Sequence, residues 1–347
     1  METKRYIIDD INLSIEQLRR KIEITEAASR LRAGDLVAFP TETVYGLGAV
    51  VTSEEAIARI FEAKGRPSDN PLIIHIGKKE QIYEWAQLVS KQAERLIDAF
   101  WPGPLTLVLP HRDHIAKNVT AGLPTVAIRM PAHPIALALL QETGIPVAAP
   151  SANRSGKPSP TSASHVWDDL QGRIDILLDG GRSGIGVEST VIDMTGEVPV
   201  LLRPGGITLA QLEGVVGKVE TDPGLINDSQ TPRSPGMKYR HYAPSGEMTI
   251  VSGNGEFLQD LVDQARAEGK KTGILTTSEN VDKYRADVII PCGDRKEPVT
   301  VAKHLYASLR QFDDRGVEVI FAESFPETGV FHSVMNRLRK AANGKIV

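Results

Sequence analysis

Phe39-Pro40-Thr41-Glu42-Thr43-Val44-Tyr45-Gly46-Leu47-Gly48, followed by Lys64-Gly65-Arg66-Pro67-Ser68-Asp69-Asn70-Pro71, sets the reading of this chain. The apolar run Leu36 to Phe39 stops at a proline and gives way to hydroxyls, a carboxylate and two glycines, the pattern of a strand running out into a turn. Open α/β sheets place ligands at such strand ends, and Gly46 and Gly48 allow close backbone approach there. Glu42 reads as a base, a magnesium ligand, or a solvated or helix-capping carboxylate.

Between the two stretches, Ser53 to Ala63 has Ile57, Ile60 and Phe61 on one face, with Thr52 and Glu55 resembling a capping box. Gly65, Pro67 and Pro71 break that helix. Two residues apart on a helix, Lys64 and Arg66 point away from one another. In an extended loop with a local bend they converge on one polyphosphate, the arginine as a fork and the lysine as a point charge. Ser68 and Asn70 add neutral hydrogen-bonding groups.

Further apolar runs alternate with helical patterns up to Arg203: Leu72 to Ile76, Leu105 to Leu109, Thr125 to Arg129, Val147 to Ala149, Ile174 to Leu178 and Val200 to Leu202. This is an α/β domain with a sizeable sheet, parallel or mixed. His75, inside one strand, reads first as a satisfied core histidine. Ser151 and Asn153 follow another strand and face the same way in extended chain. Without a Gly-x-Ser-x-Gly elbow, Ser151 suits hydrogen bonding to phosphate or ribose better than nucleophilic attack. Turns at Gly180 to Thr190 and Arg203 to Gly206 complete four of this type, three with a basic residue, favouring one anion-binding cleft.

The 347 residues, 41% hydrophobic and 24% charged, suffice for two packed domains. No apolar run approaches the roughly 20 residues of a spanning helix, and the first ten carry Lys4, Arg5, Asp9 and Asp10, so a cytoplasmic protein with no membrane contact is expected. A single cysteine, Cys292, excludes an internal disulfide and a multi-thiolate metal site. The net charge of −4 argues against nucleic-acid phosphates as the source of affinity.

The domain boundaries expected are 1–214 for the first domain, 215–245 for a linker and 246–347 for a smaller α/β domain. Thr221 to Pro235 is polar with three prolines. Ser234 to Pro244, with Lys238, Tyr239, Arg240, His241 and Tyr242, reads either as an ordered strap or as a segment reaching back over the first domain's site. Beyond it, strands Met248 to Val251, Thr272 to Leu275, Asp287 to Ile290 and Val317 to Phe321 alternate with helices Glu256 to Glu268, Val299 to Asp313 and Val330 to Ala342. Ser252-Gly253-Asn254-Gly255 gives only Gly-x-Gly and reads as a plain turn.

With these motifs in place, the chain resembles the threonylcarbamoyl-adenylate synthases of the YrdC-like family in their longer, two-domain form. The resemblance rests on Pro40 to Gly48, Lys64 to Pro67, Trp101 to Thr106, Arg129-Met130-Pro131, Pro150 to Asn153, Val187 to Thr190, Arg203-Pro204-Gly205, Ser234 to Pro244 and Met335 to Ala342. It implies a twisted open mixed sheet with flanking helices, followed by a smaller Rossmann-like α/β domain. It also implies that L-threonine, bicarbonate and ATP give threonylcarbamoyl-adenylate and pyrophosphate, the product passing to a transferase complex that modifies position 37 of transfer RNA.

On that resemblance Lys64, Arg66, Ser151 and Asn153 are the expected catalytic residues. Arg66, Asn70, Thr125, Ser151, Ser159, Arg203 and His241 would bind ATP; Thr43, His75, Arg129, Ala149 and Ser189 would bind threonine. Magnesium would be carried with ATP, with no dedicated metal-ligand set and no tightly bound cofactor. Carbamoyl transfer in hydrogenase maturation needs cysteine clusters that are absent here. The reading from another class is a module binding double-stranded RNA or transfer RNA, or associated with the ribosome, against which net acidity and the lack of interleaved aromatics count.

Overall fold

The computed structural model describes residues 2–10, 12–225 and 241–347. These divide into two compact units, one of residues 2–155, 160–184 and 188–225, the other of 156–159, 185–187 and 241–347. The part of the expected linker at 226–240, Tyr239 and Arg240 included, lies outside the described residues.

The first unit is built on β1 (Lys4–Ile7), β2 (Val37–Phe39), β3 (Gly46–Val50), β4 (Ile73–His75), β5 (Leu105–Pro110), β6 (Thr125–Arg129), β7 (Val147–Ala148), β8 (Ile176–Asp179), β9 (Thr190–Asp193), β10 (Val200–Arg203) and β11 (Glu220–Thr221). They form one sheet in the order β1-β8-β2-β3-β7-β4-β6-β5-β9-β10-β11. Its ladders are mixed: β3 runs antiparallel to both β2 and β7, whereas β4 and β6 are parallel. The main core gathers Phe39, Tyr45, Leu47, Ile74, Ile128 and Leu139, all essentially inaccessible to solvent. Ile73, Val108, Ala127, Val191 and Leu202 make a separate apolar strip on the face that carries His75 and Arg129.

β3 corrects the expectation that Tyr45 to Gly48 is a glycine turn open to a ligand. It is a fully buried strand, and its glycines make room for side chains. A Cβ on Gly48 would lie 2.7 Å from Val147 Cγ1 and 2.9 Å from Phe39 Cε1. Close approach is therefore required, but by packing across β2 and β7. Beyond its named ends the β3 ladder continues: Leu47 N donates to Pro150 O (2.8 Å), Ala152 N to Tyr45 O (2.8 Å), and Gly46 bridges Ser151.

A second correction concerns the helix Glu54–Lys64. Its cap is Ser53, whose hydroxyl accepts from Ala56 N at 3.1 Å, rather than Thr52 with Glu55. Lys64 is the last helical residue and not part of an extended loop. Gly65, at φ 62°, ends the helix, with Gly65 N bonded to Glu62 O and Arg66 N to Phe61 O. These are the paired bonds of a Schellman ending, so Lys64 and Arg66 leave on opposite sides of a left-handed glycine.

In the second unit β12 (Glu247–Val251), β13 (Thr272–Thr276), β14 (Val288–Pro291) and β15 (Val319–Glu323) form a wholly parallel sheet, ordered β12-β15-β13-β14. Helices Gly255–Ala267, Pro298–Asp314 and Gly329–Ala341 connect or follow these strands. Asn254 caps the first through its side chain, so Ser252 to Gly255 opens a helix where a plain turn was expected.

Candidate functional site

Two polar clusters stand in the first unit. One is centred on Arg129, the last residue of β6, which is 4% exposed. The register places Arg129 beside His75 of β4 on one side and Thr106 of β5 on the other. Its guanidinium donates from Nη1 to Thr43 Oγ1 (2.9 Å), from Nη2 to Glu42 Oε1 (2.6 Å) and from Nε to Gly103 O (3.3 Å). Glu42 is thus neither solvated nor a helix cap.

The hydroxyls beside Arg129 are ordered by elimination. Thr41 donates to Val44 O (2.6 Å), so at the 2.8 Å contact between Thr41 and Thr43 the proton belongs to Thr43. Thr43 therefore accepts from Arg129 and donates to Thr41.

His75 is 3% exposed, with Nδ1 3.2 Å from Ile73 O and its ring edge-on to Phe39. Burial, helped by the Arg129 charge, lowers its pKa to about 3. Its imidazole is neutral at pH 7. Alongside, Ser189 Oγ lies 2.7 Å from Thr106 Oγ1 and accepts from Arg203 Nη2 at 3.1 Å, while Arg203 Nε donates to Ser189 O. Arg203, expected at the nucleotide, is thus bonded to Ser189, expected at threonine.

The other cluster joins the Lys-x-Arg and Ser-x-Asn motifs. Lys64, 2% exposed, turns its ammonium onto the carbonyls of Ser151 and Asn153, the latter at 2.7 Å. Ser151 Oγ donates to Asn153 Oδ1 at 2.6 Å, so the two side chains do share a face. Ser155 N donates to Lys64 O. Arg66 is half-buried, its guanidinium 5.9 Å from the Phe61 ring. Asn70 is wholly buried, and neither end of its carboxamide has a hydrogen-bond partner among the described residues.

Ala149, buried, donates its N–H to Ile73 O, which sets it between β4 and β3. Thr125 begins β6, half-buried, on the face that Arg129 ends. Ser159 and His241 belong to the second unit, where Ser159 is fully buried and the rings of His241 and Tyr242 lie 5.5 Å apart. Arg182 is exposed in its turn. Sequence reasoning missed two members of the first cluster. Thr41 and Thr106 are fixed inside hydroxyl networks, and the signal for Thr106 was a lone hydroxyl at an alternate position of an apolar strand.

Among the described residues no group of three or more His, Cys, Asp and Glu side chains is arranged to hold a metal ion. No helix among them is long and apolar enough to cross a membrane.

The Sua5/YciO/YrdC family model, described as telomere recombination, matches residues 29–205. The model for the C-terminal domain of threonylcarbamoyl-AMP synthase matches residues 207–343. The chain is 51% identical over 348 residues to the threonylcarbamoyl-AMP synthase of Bacillus subtilis (strain 168), covering 100% of both. It is 49% identical to that of Pyrococcus abyssi (strain GE5 / Orsay), covering 98% of this chain and 99% of the relative. The crystal structure of P. abyssi Sua5 complexed with L-threonine superimposes with a TM-score of 0.91 at 47% identity, covering 100% of this chain and 99% of that one.

Proposed function

The chain belongs to the Sua5/YciO/YrdC family in its two-domain form, and on that footing we propose that it is a threonylcarbamoyl-AMP synthase, joining L-threonine, bicarbonate and ATP into threonylcarbamoyl-adenylate with release of pyrophosphate. One observation carries the residue assignment. A buried arginine bonds Thr43, just ahead of β3, and a buried lysine bonds the carbonyl of Ser151, which bridges Gly46 at the start of the same strand.

We assign the Arg129 side to threonine. A guanidinium fork matches a carboxylate, and Thr43, His75, Ala149 and Ser189 shape the space around it. The Lys64 side, with Arg66, Asn70, Ser151 and Asn153, is assigned to the nucleotide, as are Thr125 and Arg203. The chemistry has two bond-forming steps. Threonine's nitrogen attacks the carbon of CO2 derived from bicarbonate; the resulting carbamate oxygen then attacks the α-phosphorus as its bond to the β-phosphate oxygen breaks. The second is a matter of in-line placement and charge neutralisation, which Lys64 and Arg66 supply. Magnesium carried on the triphosphate adds to that neutralisation.

Product transfer to a transfer-RNA-modifying complex, in the cytoplasm, completes the reading. The test is pyrophosphate release by purified protein: it should require ATP, bicarbonate and threonine together. Release unchanged on omitting threonine would sink the assignment.

A further inference from the structure

Glu42 stands out from the other acidic partners of the fold. Elsewhere in the first unit the buried carboxylate of Asp175 has a cationic partner at each oxygen: Oδ2 accepts from Leu36 N and Arg59 Nη2, each at 2.8 Å, and Oδ1 forms an ion pair with Arg30 at 3.6 Å. That is how a structural ion pair is built. Glu42 is different. Its Oε1 meets Arg129 Nη2 at 2.6 Å, with side-chain exposures of 15% and 5%, but its Oε2 is buried with no hydrogen-bond partner among the described residues. The neighbouring His133 is half-buried, and its Nδ1 accepts from Ile135 N. Burial lowers the His133 pKa to about 4, so it adds no second positive charge beside Glu42.

The result is one buried cation and one buried anion in contact, neutral as a pair, with an acceptor left open on the anion. An α-amino acid zwitterion has the same two charges in the opposite sense. Its carboxylate suits Arg129, and its ammonium needs an acceptor of negative charge close by. A lone arginine would attract any carboxylate; an arginine already neutralised by a carboxylate yields it only to a ligand that brings a cation in exchange.

We infer that the Glu42–Arg129 pair is a zwitterion reader, in which the substrate's carboxylate displaces Glu42 from Arg129 and Glu42 takes the substrate's α-ammonium. The inference rests on the assignment of Arg129 to the threonine carboxylate. It also gives Glu42 a part in the first bond-forming step. The ammonium transfers one proton to the Glu42 carboxylate, and the freed nitrogen lone pair forms the C–N bond to CO2. One C=O electron pair moves onto oxygen, and the second N–H proton leaves to water, giving the carbamate.

The experiment compares L-threonine with 3-hydroxybutyrate, which lacks only the amine, by calorimetric titration of full-length protein. Wild type should prefer threonine by at least tenfold. Glu42→Gln keeps the shape and removes the charge; it should lose most of that preference by weakening threonine while holding or improving 3-hydroxybutyrate. Equal preference in wild type and Glu42→Gln would overturn the inference. If Glu42→Gln shows no cooperative unfolding, Glu42→Asp, which retains the charge, serves instead: preference kept supports the reader, and preference abolished in a folded Glu42→Asp protein counts against it. Wild type that neither binds threonine nor releases pyrophosphate would overturn the functional reading itself, and the inference with it.

Discussion

His75 and Arg129 face one another across the parallel β4–β6 ladder, and the arginine's charge adds to burial in keeping the imidazole unprotonated. A histidine lowered from 6.5 to about 3 binds fewer protons folded than unfolded. Its stabilising contribution is therefore complete above pH 6.5 and is lost as pH falls from there toward 3. His133, lowered to about 4, acts in the same direction. At pH 5 the first domain should be less stable than at pH 7.5 by about 2 kcal/mol from His75 alone. Urea unfolding of His75→Gln should show a correspondingly shallower pH dependence; identical profiles would remove His75 as a cause.

Arg129→Lys keeps a positive charge and loses the fork that reaches Thr43, Glu42 and Gly103 together. The Michaelis constant for threonine should rise by roughly a hundredfold, with that for ATP little changed. Steady-state pyrophosphate release at varied threonine decides it. A shared loss on both substrates would mean that Arg129 acts on the fold rather than on threonine.

Lys64→Met retains the buried stem but withdraws the ammonium from the Ser151 and Asn153 carbonyls. Turnover should fall on the order of a hundredfold, matching about 3 kcal/mol of lost transition-state stabilisation. The melting temperature should fall as well, because those carbonyls lose a charged donor. An active, saturable Lys64→Met enzyme would contradict this.

Asn70→Leu separates stability from binding. Exchanging an unpartnered buried carboxamide for an apolar group of similar size should stabilise the ligand-free protein by about 1 to 3 kcal/mol. The same change should weaken ATP. Thermal melts with and without ATP measure both, and an Asn70→Leu protein that is stabilised by ATP as strongly as wild type would clear Asn70 of a nucleotide role.

Gly48→Ala forces a methyl between Val147 and Phe39, at a cost of about 1 to 3 kcal/mol by overpacking. Denaturant midpoints should show it. No change would mean that β2 and β7 relax apart more easily than their packing suggests.

The second domain was the more readable one in its elements, because each strand there is a short run such as Met248 to Val251 between helices with clear polar and apolar faces. In the first domain β3 was hidden. Gly46-Leu47-Gly48 has the composition of a turn, and only the Phe39 and Val147 side chains, remote or nearly so in sequence, explain why glycine is wanted in a strand. The candidate site residues stood out because isolated charges and hydroxyls at strand ends are conspicuous. Their partners were not: nothing local to Glu42 announces a contact with Arg129, 87 residues away. Lys64 was placed in a loop because Gly65 breaks the helix, although a left-handed glycine lets the helix keep the residue before it.

The ladder that runs from Val50–Val147 to Gly46–Ser151 makes β3 and residues 147–152 a common ruler for the two polar clusters. What fixes Thr43 relative to Ser151 is register, not the length of chain between them. The intervening loops can lengthen or shorten without shifting either end, whereas one residue inserted within β3 would invert the faces on one side of the slip. Both motifs would then read the same in sequence and no longer address the same space.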